Sequence, residues 1–275
     1  MTAQLHDQHL HSRHSVDSKA DPAANCQQAL ATGLTGLTFT EHYDPHPAEW
    51  KRCKWDYAAI HDTAASLRER FAPDLEIGLG IEVDYQPQML DAIIDYLDRH
   101  DFDVVLLSIH WAADRQLHLR RKWKGAGAAE MTAAYEATLL DASQRLRRYA
   151  EQGERPFDVI GHLDLVARYQ QQFWQQVVPM DAGAVDEALQ QLIEAGVVPE
   201  ANTSGIRQGL GRTLPEPSVL GRYRELGGRF VSLGSDAHLA QHVGAGIAET
   251  AQALAAVGIE GEAVYRDRVQ TIIPF

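Results

Sequence analysis

Residues 5–11 read LHDQHLH, and this stretch begins the pattern that decides the fold. It has the composition of a short strand. A helical pattern follows at 22–34, where Asp21 is the predicted N-cap and Pro22 the first helical residue. A second apolar run comes next, at 36–41. The order of strand, helix and strand predicts a βα unit, from which parallel sheets are built.

The same unit recurs along the chain, and no long linker, sequence repeat or low-complexity segment interrupts it. The predicted strands are 5–11, 36–41, 75–84, 103–110, 157–162, 197–203 and 229–236, and the predicted helices are 22–34, 57–71, 88–99, 128–152, 181–195 and 218–226. Seven strands in 275 residues that are 45% apolar favour an α/β barrel in one domain over residues 1–275. The alternative is a doubly wound open sheet, which usually carries a Gly-rich phosphate loop after its first strand; none is present here.

Composition limits the classes of function. The formal net charge of −13 argues against a surface that follows a nucleic-acid backbone. The two cysteines, Cys26 and Cys53, form no Cys-x-x-Cys motif, which favours a reducing compartment. No apolar run approaches the ~20 residues that a bilayer span requires, and the N-terminal residues lack the apolar h-region typical of a signal peptide. We therefore expect a cytoplasmic protein with neither a membrane nor a nucleic-acid partner.

Polar side chains occur where the predicted strands end. Two pairs, His9/His11 and Asp236/His238, have the i, i+2 spacing that places side chains on one face of a strand. Because the carboxyl ends of parallel barrel strands meet at one rim, all of these side chains are expected to lie together. Such a mixture of imidazoles and carboxylates predicts a site for divalent metal ions. The full set comprises His9, His11, Glu41, His42, Glu82, Asp84, His110, His162, Asp164, Asn202, Asp236 and His238.

The motifs that carry these residues resemble those of the polymerase and histidinol phosphatase (PHP) superfamily of metal-dependent phosphoesterases. They occur in the family order and span almost the whole chain. The resemblance implies a distorted (β/α)7 barrel that holds three divalent metal ions. The matching segments are His9-Leu10-His11-Ser12 with Asp17, Thr40-Glu41-His42, Gly80-Ile81-Glu82-Val83-Asp84, Ser108-Ile109-His110-Trp111, Gly161-His162-Leu163-Asp164 and Gly234-Ser235-Asp236-Ala237-His238.

The resemblance also implies a ligand set and a reaction. The ions would be zinc, manganese or iron, a metal-bound hydroxide would attack the phosphoester, and Glu82, His110 and Asp236 would be catalytic as ligands. Asp17 stands where the phosphatase branch often has histidine, so the third ion would be bound differently. The first ion would be held by His9, His11, Glu82 and Asp236, the second by Glu82, His110 and His162, and the third by Asp17, His42 and His238.

Within the superfamily the chain is most similar to the histidinol-phosphate phosphatases, through segments 161–168 and 200–207. This implies a phosphomonoester hydrolase acting on L-histidinol phosphate, a step of histidine biosynthesis. Arg168 and Arg207 would bind the phosphate, because a guanidinium group matches its geometry. The segment 112–124, AADRQLHLRRKWK, departs from the usual loop of this branch.

Other functions stay open on sequence alone. That basic segment is the main support for a phosphoesterase of nucleotides or short oligonucleotides. A regulatory domain without activity is disfavoured, because every expected ligand position carries a competent residue. A related amidohydrolase would be expected to use a bridging lysine and a lone late aspartate, whereas this chain has Glu82 and an Asp-x-His pair.

Overall fold

A computed structural model describes residues 4–53 and 55–275; the first three residues of the expected domain lie outside it. Its strands are β1 His6–Leu10, β2 Gly36–Tyr43, β3 Glu76–Asp84, β4 Val104–Ser108, β5 Trp111–Ala112, β6 Arg115–Gln116, β7 Val159–Ile160, β8 Val198–Asn202, β9 Phe230–Gly234, β10 Gly261–Arg266 and β11 Val269–Pro274. Its helices are α1 Pro22–Ala31, α2 Pro47–Trp50, α3 Tyr57–Phe71, α4 Leu90–Leu97, α5 Ala128–Glu151, α6 Val166–Trp174, α7 Ala182–Ala195, α8 Ser204–Arg207, α9 Pro217–Glu225 and α10 Ile247–Ala256.

The seven predicted strands are confirmed. They form one sheet in the order β1-β2-β3-β4-β7-β8-β9, and every neighbouring pair is parallel. The sheet curls until its first and last parallel strands meet at the carboxyl end. Two backbone hydrogen bonds join them there: the N–H of Asp236 donates to the carbonyl of His9 at 2.7 Å, and the N–H of His11 donates to the carbonyl of Ala237 at 2.9 Å. The fold is thus a distorted α/β barrel, as expected.

The barrel closes differently at its amino end. There β10 pairs with β9. Between β10 and β1 the side chain of Gln8 makes hydrogen bonds in place of the usual backbone-to-backbone hydrogen bonds. The Gln8 amide donates to the carbonyl of Ala263 at 2.7 Å and accepts from the N–H of Tyr265 at 3.3 Å. One side-chain amide therefore satisfies the two backbone groups that a neighbouring strand would otherwise pair.

The inside of the barrel is polar at the carboxyl end, and it holds an apolar cluster together with some buried polar side chains at the amino end. Glu82 and Leu106 are register partners on β3 and β4, so they share the inner face. Below Glu82 the inner face includes small and branched apolar side chains packed against Tyr265 of β10, beside the buried polar side chains of Thr38 and Ser232. The residues of this lower cluster are Val104, Leu106, Val159, Val198, Ala263 and Tyr265.

Several elements were not predicted from sequence. The β5–β6 and β10–β11 hairpins and the helices α6 and α10 lie outside the predicted elements. The predicted helix 22–34 is shorter than expected, ending at Ala31 before Gly33, whose φ of 79° terminates it.

Among the residues that the structure describes, there is no helix with the length and apolar character needed to cross a membrane.

Replacing Tyr265 should test the role of the β10–β11 hairpin as the floor of the barrel. Tyr265 is 2% exposed, so Tyr265→Ala removes a buried ring and leaves a cavity. We expect a loss of about 3–5 kcal/mol in the free energy of unfolding, measured by urea titration. Val269→Ala in the same hairpin is the control, because Val269 is 66% exposed. If the two substitutions lowered the free energy of unfolding equally, Tyr265 would not act as the floor of the barrel.

Candidate metal centre

The polar residues at the strand ends line one cavity, of about 350 Å³. It opens at the carboxyl end of the barrel, the position that the sequence pattern predicted. His9 and His11 lie just beneath it and are buried. The predicted residues that line the cavity are Asp17, His42, Glu82, His110, His162, Arg168, Asp236 and His238.

Glu82 is at the centre of this group, and its side chain is 1% exposed. Five imidazole rings place a nitrogen within 3.5 Å of its carboxylate oxygens. A single carboxylate surrounded in this way can bridge two neighbouring cations. The distances are 2.8 Å for His42, 3.0 Å for His162, 3.4 Å for His9, and 3.5 Å for both His11 and His110.

The side chain of Glu82 is favoured in its ionised form although it is buried. Burial alone would raise the pKa of this carboxyl, but the rings of His9, His42 and His110 outweigh that effect and hold the pKa well below its usual value. Several buried atoms in the cluster have no hydrogen-bond partner among the described residues. Such unpaired donors and acceptors are costly unless another group occupies the space between them, so the residues fit divalent cations. These atoms are Nε2 of His9 and His11, Nδ1 of His42 and His162, and Oε2 of Glu82.

Asp17 lies at the rim of the cavity with its side chain half exposed. Its Oδ2 is 3.1 Å from Nε2 of His238 and 3.5 Å from Nε2 of His42, so the structure brings together the three residues predicted for the third ion. Other groupings also have ligand atoms within 4.8 Å of one another. They are His11, His42 and His238; His9, Glu82 and His162; His9, His11 and Asp236; and His42, Glu82 and His110.

Two of these residues have unusual backbone conformations. His162 has a φ of 24° and Asp236 a φ of 52°, in the left-handed region that non-glycine residues seldom adopt. Each lies two residues beyond the end of a barrel strand. Such conformations cost free energy and are retained where surrounding structure enforces them, often at functional sites. Here they turn the side chain inward at the point where the strand ends.

Glu200 is a buried residue of this centre that the sequence analysis missed. Its Oε1 lies 2.8 Å from Nδ1 of His9, and its Oε2 accepts the N–H of His162 at 2.8 Å and the amide of Asn202 at 3.0 Å. Burial alone lowers the pKa of His9, but the carboxylates of Glu200 and Glu82 outweigh it and raise that pKa well above its usual value. Glu200 thus orients one predicted ligand through its ring and another through its backbone.

Gly234 leaves the space that the Glu200 carboxylate occupies. A Cβ atom added at Gly234 would lie 2.0 Å from Oε1 of Glu200, whereas one added at Gly161 would collide with Ser108, at 2.6 Å from its Oγ. Each glycine stands in a motif of the sequence analysis, just before a predicted ligand. Glu200 lies in the middle of β8, and a carboxylate inside a buried strand was the signal that could have revealed it.

Glu41 and Asp84, noted at the strand ends, support ligands rather than face the cavity centre. Glu41 accepts the N–H of Ser12 at 3.0 Å and the hydroxyl of Ser15 at 2.5 Å, and that hydroxyl lies 3.2 Å from Nδ1 of His11. Asp84 accepts the N–H of His110 at 3.1 Å. Burial raises the pKa of Asp84 to about 7.

The two predicted phosphate-binding arginines differ in position. Arg168 lines the cavity, and its guanidinium donates to Oδ2 of Asp236 at 3.1 Å and to the hydroxyl of Ser204. Arg207 donates to the carbonyls of Ser235 and Asp236 at 2.5 and 2.8 Å, and it is not among the described residues that line the cavity. Phosphate binding by Arg207 therefore stays a prediction.

The basic segment 112–124 is divided between two surfaces. Its first part forms the β5–β6 hairpin, which brings Trp111 and His118 to the wall of the cavity. Its most basic part, Arg120, Arg121 and Lys122, is exposed on a short 3-10 helix and is not among the cavity residues. These three cations therefore form part of the exposed surface.

Comparison with known proteins identifies the family. The PHP domain model matches residues 7–204, which include β1 and most of the predicted ligands. The chain belongs to the PHP domain family. The resemblance stated from the motifs is therefore confirmed at the level of the family.

Relatives and solved structures agree with this assignment. The chain is 29% identical over 265 residues to a Deinococcus radiodurans protein named "probable histidinol-phosphatase", covering 92% of this chain and 94% of the relative. It is 26% identical over 248 residues to the histidinol-phosphatase of Lactococcus lactis, covering 86% and 84%. A crystal structure of histidinol phosphate phosphatase from L. lactis, complexed with zinc, L-histidinol and phosphate, superposes with a TM-score of 0.80 at 22% identity and covers 98% of this chain and 99% of that one.

Substituting Glu200 should weaken metal binding without disturbing the fold. In Glu200→Gln an amide group replaces an oxygen that accepts N–H groups, so the orientation of His9 and His162 is loosened. We expect a loss of about 10- to 100-fold in zinc affinity, measured by calorimetric titration of the metal-free protein. Circular dichroism melts would check the fold.

The matched control is Glu69→Gln on the exposed face of α3, which makes the same change in charge and shape. Unchanged zinc affinity in Glu200→Gln would show that this carboxylate does not position the ligands.

Proposed function

We propose that this protein is a metal-dependent phosphomonoester hydrolase whose substrate is L-histidinol phosphate. The observation that carries the proposal is the cavity itself, where the buried Glu82 carboxylate lies among five imidazoles and Arg168 lines the wall. A cation-binding floor beside a guanidinium group is complementary to a phosphate monoester, which is a compact dianion. The names of the relatives support the choice of L-histidinol phosphate.

The proposed ligand assignment follows the sequence expectation. Glu82, His110 and Asp236 are the proposed catalytic ligands, and His9, His11 and His162 complete the two deeper positions. Asp17, His42 and His238 hold a third ion at the rim. Zinc, manganese and iron all suit such a donor set. Bound together, neighbouring divalent ions supply charge neutralisation of the phosphate and a lowered pKa for water.

The protein's own residues then bind and orient the ester. Arg168 is buried and held by Asp236 and Ser204, so its guanidinium is fixed before substrate arrives. A fixed donor loses little conformational freedom on binding, and it stabilises the charge that develops on the non-reacting phosphate oxygens. Tyr169 and Leu165 lie on the same wall and narrow the cavity around the phosphate.

Glu82→Gln tests the chemistry. The substitution keeps the shape of the side chain but removes the negative charge that would bridge two ions. We expect turnover of p-nitrophenyl phosphate to fall by roughly three orders of magnitude or more, and the bound metal, measured by elemental analysis, to fall with it. Glu69→Gln again serves as the control. Turnover close to that of the unmodified protein in a fully metal-loaded Glu82→Gln variant would refute the assignment.

A substrate panel tests the choice of ester. Metal-replete protein is compared on L-histidinol phosphate, p-nitrophenyl phosphate, a 5′-mononucleotide and a short oligonucleotide, and kcat/KM is measured for each. We expect L-histidinol phosphate to be preferred, because the relatives described above carry the name histidinol-phosphatase. Preference for the nucleotides would exclude this substrate while leaving the metal-dependent chemistry in place.

A further inference from the structure

The cavity has a second wall that faces the phosphate-binding side. Arg168 and Tyr169 are on α6, which follows β7, whereas Asp44 directly follows β2. In the sheet order, β3 and β4 separate β2 from β7, so these two walls rise on opposite sides of the barrel mouth. We call the second wall the leaving-group wall. It consists of Asp44, Glu49, Arg52, Trp111 and His118.

Two contacts join the leaving-group wall into one surface. The ring of His46 stacks on the indole of Trp111, with centroids 3.9 Å apart and an interplanar angle of 28°. The Gln116 amide donates to the Glu49 carboxylate. Both contacts connect the loop after β2 with the β5–β6 hairpin, so two loops that are distant in sequence are held together across the end of β3.

Among the described residues, the charges on this wall leave one carboxylate, that of Asp44, without a partner. Glu49 accepts from Gln116 and lies 3.9 Å from the guanidinium of Arg52, so its charge is partly neutralised. Asp44 is half-buried, and none of the residues 4–53 and 55–275 forms a hydrogen bond or ion pair with its side chain. A carboxylate held at the edge of a cavity and left unpaired is a binding site for a cationic group.

Trp111 provides a second unpaired group on the same wall. It is 8% exposed and lines the cavity, and its indole N–H donates to no residue in the described part of the chain. The other two buried or half-buried indoles of this region, Trp55 and Trp123, both donate hydrogen bonds. The free N–H therefore faces space that a ligand can fill with a hydrogen-bond acceptor.

We propose that the leaving-group wall selects a phosphomonoester whose alcohol part carries a primary ammonium group and a ring with a hydrogen-bond acceptor. The ammonium group binds Asp44, and the ring lies along Trp111. This inference rests on the proposed function, because it takes the phosphate to lie over Glu82 and Arg168 on the opposite side. L-Histidinol phosphate has both features, whereas a nucleoside monophosphate has no aliphatic ammonium group.

Removal of one charge from the enzyme and one from the substrate tests this proposal. Metal-replete protein is assayed with L-histidinol phosphate and with its N-acetyl derivative, in which the ammonium group is neutral. We expect the unmodified protein to prefer the cationic ester by about tenfold or more in kcat/KM, the scale of one charge-assisted hydrogen bond. In Asp44→Asn the ratio of the two kcat/KM values should fall to within about threefold of unity.

The control variant is Asp114→Asn, in the exposed turn between β5 and β6. It makes the same substitution close by, at a residue that is outside the cavity and whose φ of 56° asparagine tolerates. It should keep the full preference for the cationic ester. A second readout uses L-histidinol alone as an inhibitor of p-nitrophenyl phosphate hydrolysis, with an inhibition constant that rises about tenfold in Asp44→Asn.

The outcomes separate this inference from the proposed function. Failure of the unmodified protein to hydrolyse any phosphomonoester would overturn the proposed function. Hydrolysis of both esters with equal kcat/KM would overturn only the selection of a cationic group. An unchanged ratio in Asp44→Asn would overturn the role of Asp44.

Discussion

The carboxyl end of the barrel depends on one buried charge, the carboxylate of Glu82. Burying an ionised group is unfavourable unless opposite charge or hydrogen-bond donors compensate for it. Here five imidazoles from four segments surround it, and on His9, His11, His42 and His162 one ring nitrogen has no hydrogen-bond partner among the described residues. Such an arrangement fits divalent cations between the rings and the carboxylate.

The environment of Glu82 is set by a second layer of carboxylates. Glu200, Glu41 and Asp84 each accept hydrogen bonds from ligand-bearing segments rather than from solvent. Gly234 leaves room for Glu200, because a side chain there would collide with its carboxylate, and Gly161 leaves room for Ser108. Oriented in this way, the imidazoles present defined nitrogen atoms to the cavity. Preorganisation of this kind lowers the cost of binding an ion and of binding the transition state.

The two ends of the barrel interior perform different physical tasks. The amino end holds Tyr265 and branched apolar side chains, which contribute hydrophobic stability, and its buried polar groups, such as Gln8, are hydrogen-bonded within the protein. At the carboxyl end a polar cavity takes the place of an apolar packed interior. Side chains along each strand alternate between the inside of the barrel and the surrounding helices. On β4 the inward-facing residues change from apolar Leu106 to polar Ser108 at the carboxyl end, while Val105 and Leu107 face the helices. The apolar cluster that stabilises the barrel and the cavity proposed for the chemistry therefore lie at opposite ends of the barrel axis.

Much of this arrangement was accessible from the sequence. The alternation of strand and helix patterns predicted seven parallel strands, and i, i+2 pairs such as His9/His11 predicted ligands that share a face, because both follow from local chain geometry. The family resemblance added the order of the motifs. What only the tertiary structure decided depends on distant contacts. It placed Glu200 against His9 across 191 residues, inserted β10 between β9 and β1, turned Arg207 toward the backbone of Asp236, and joined the loop after β2 to the β5–β6 hairpin. No local periodicity encodes such partners, since each is fixed by the closure of the sheet into a barrel.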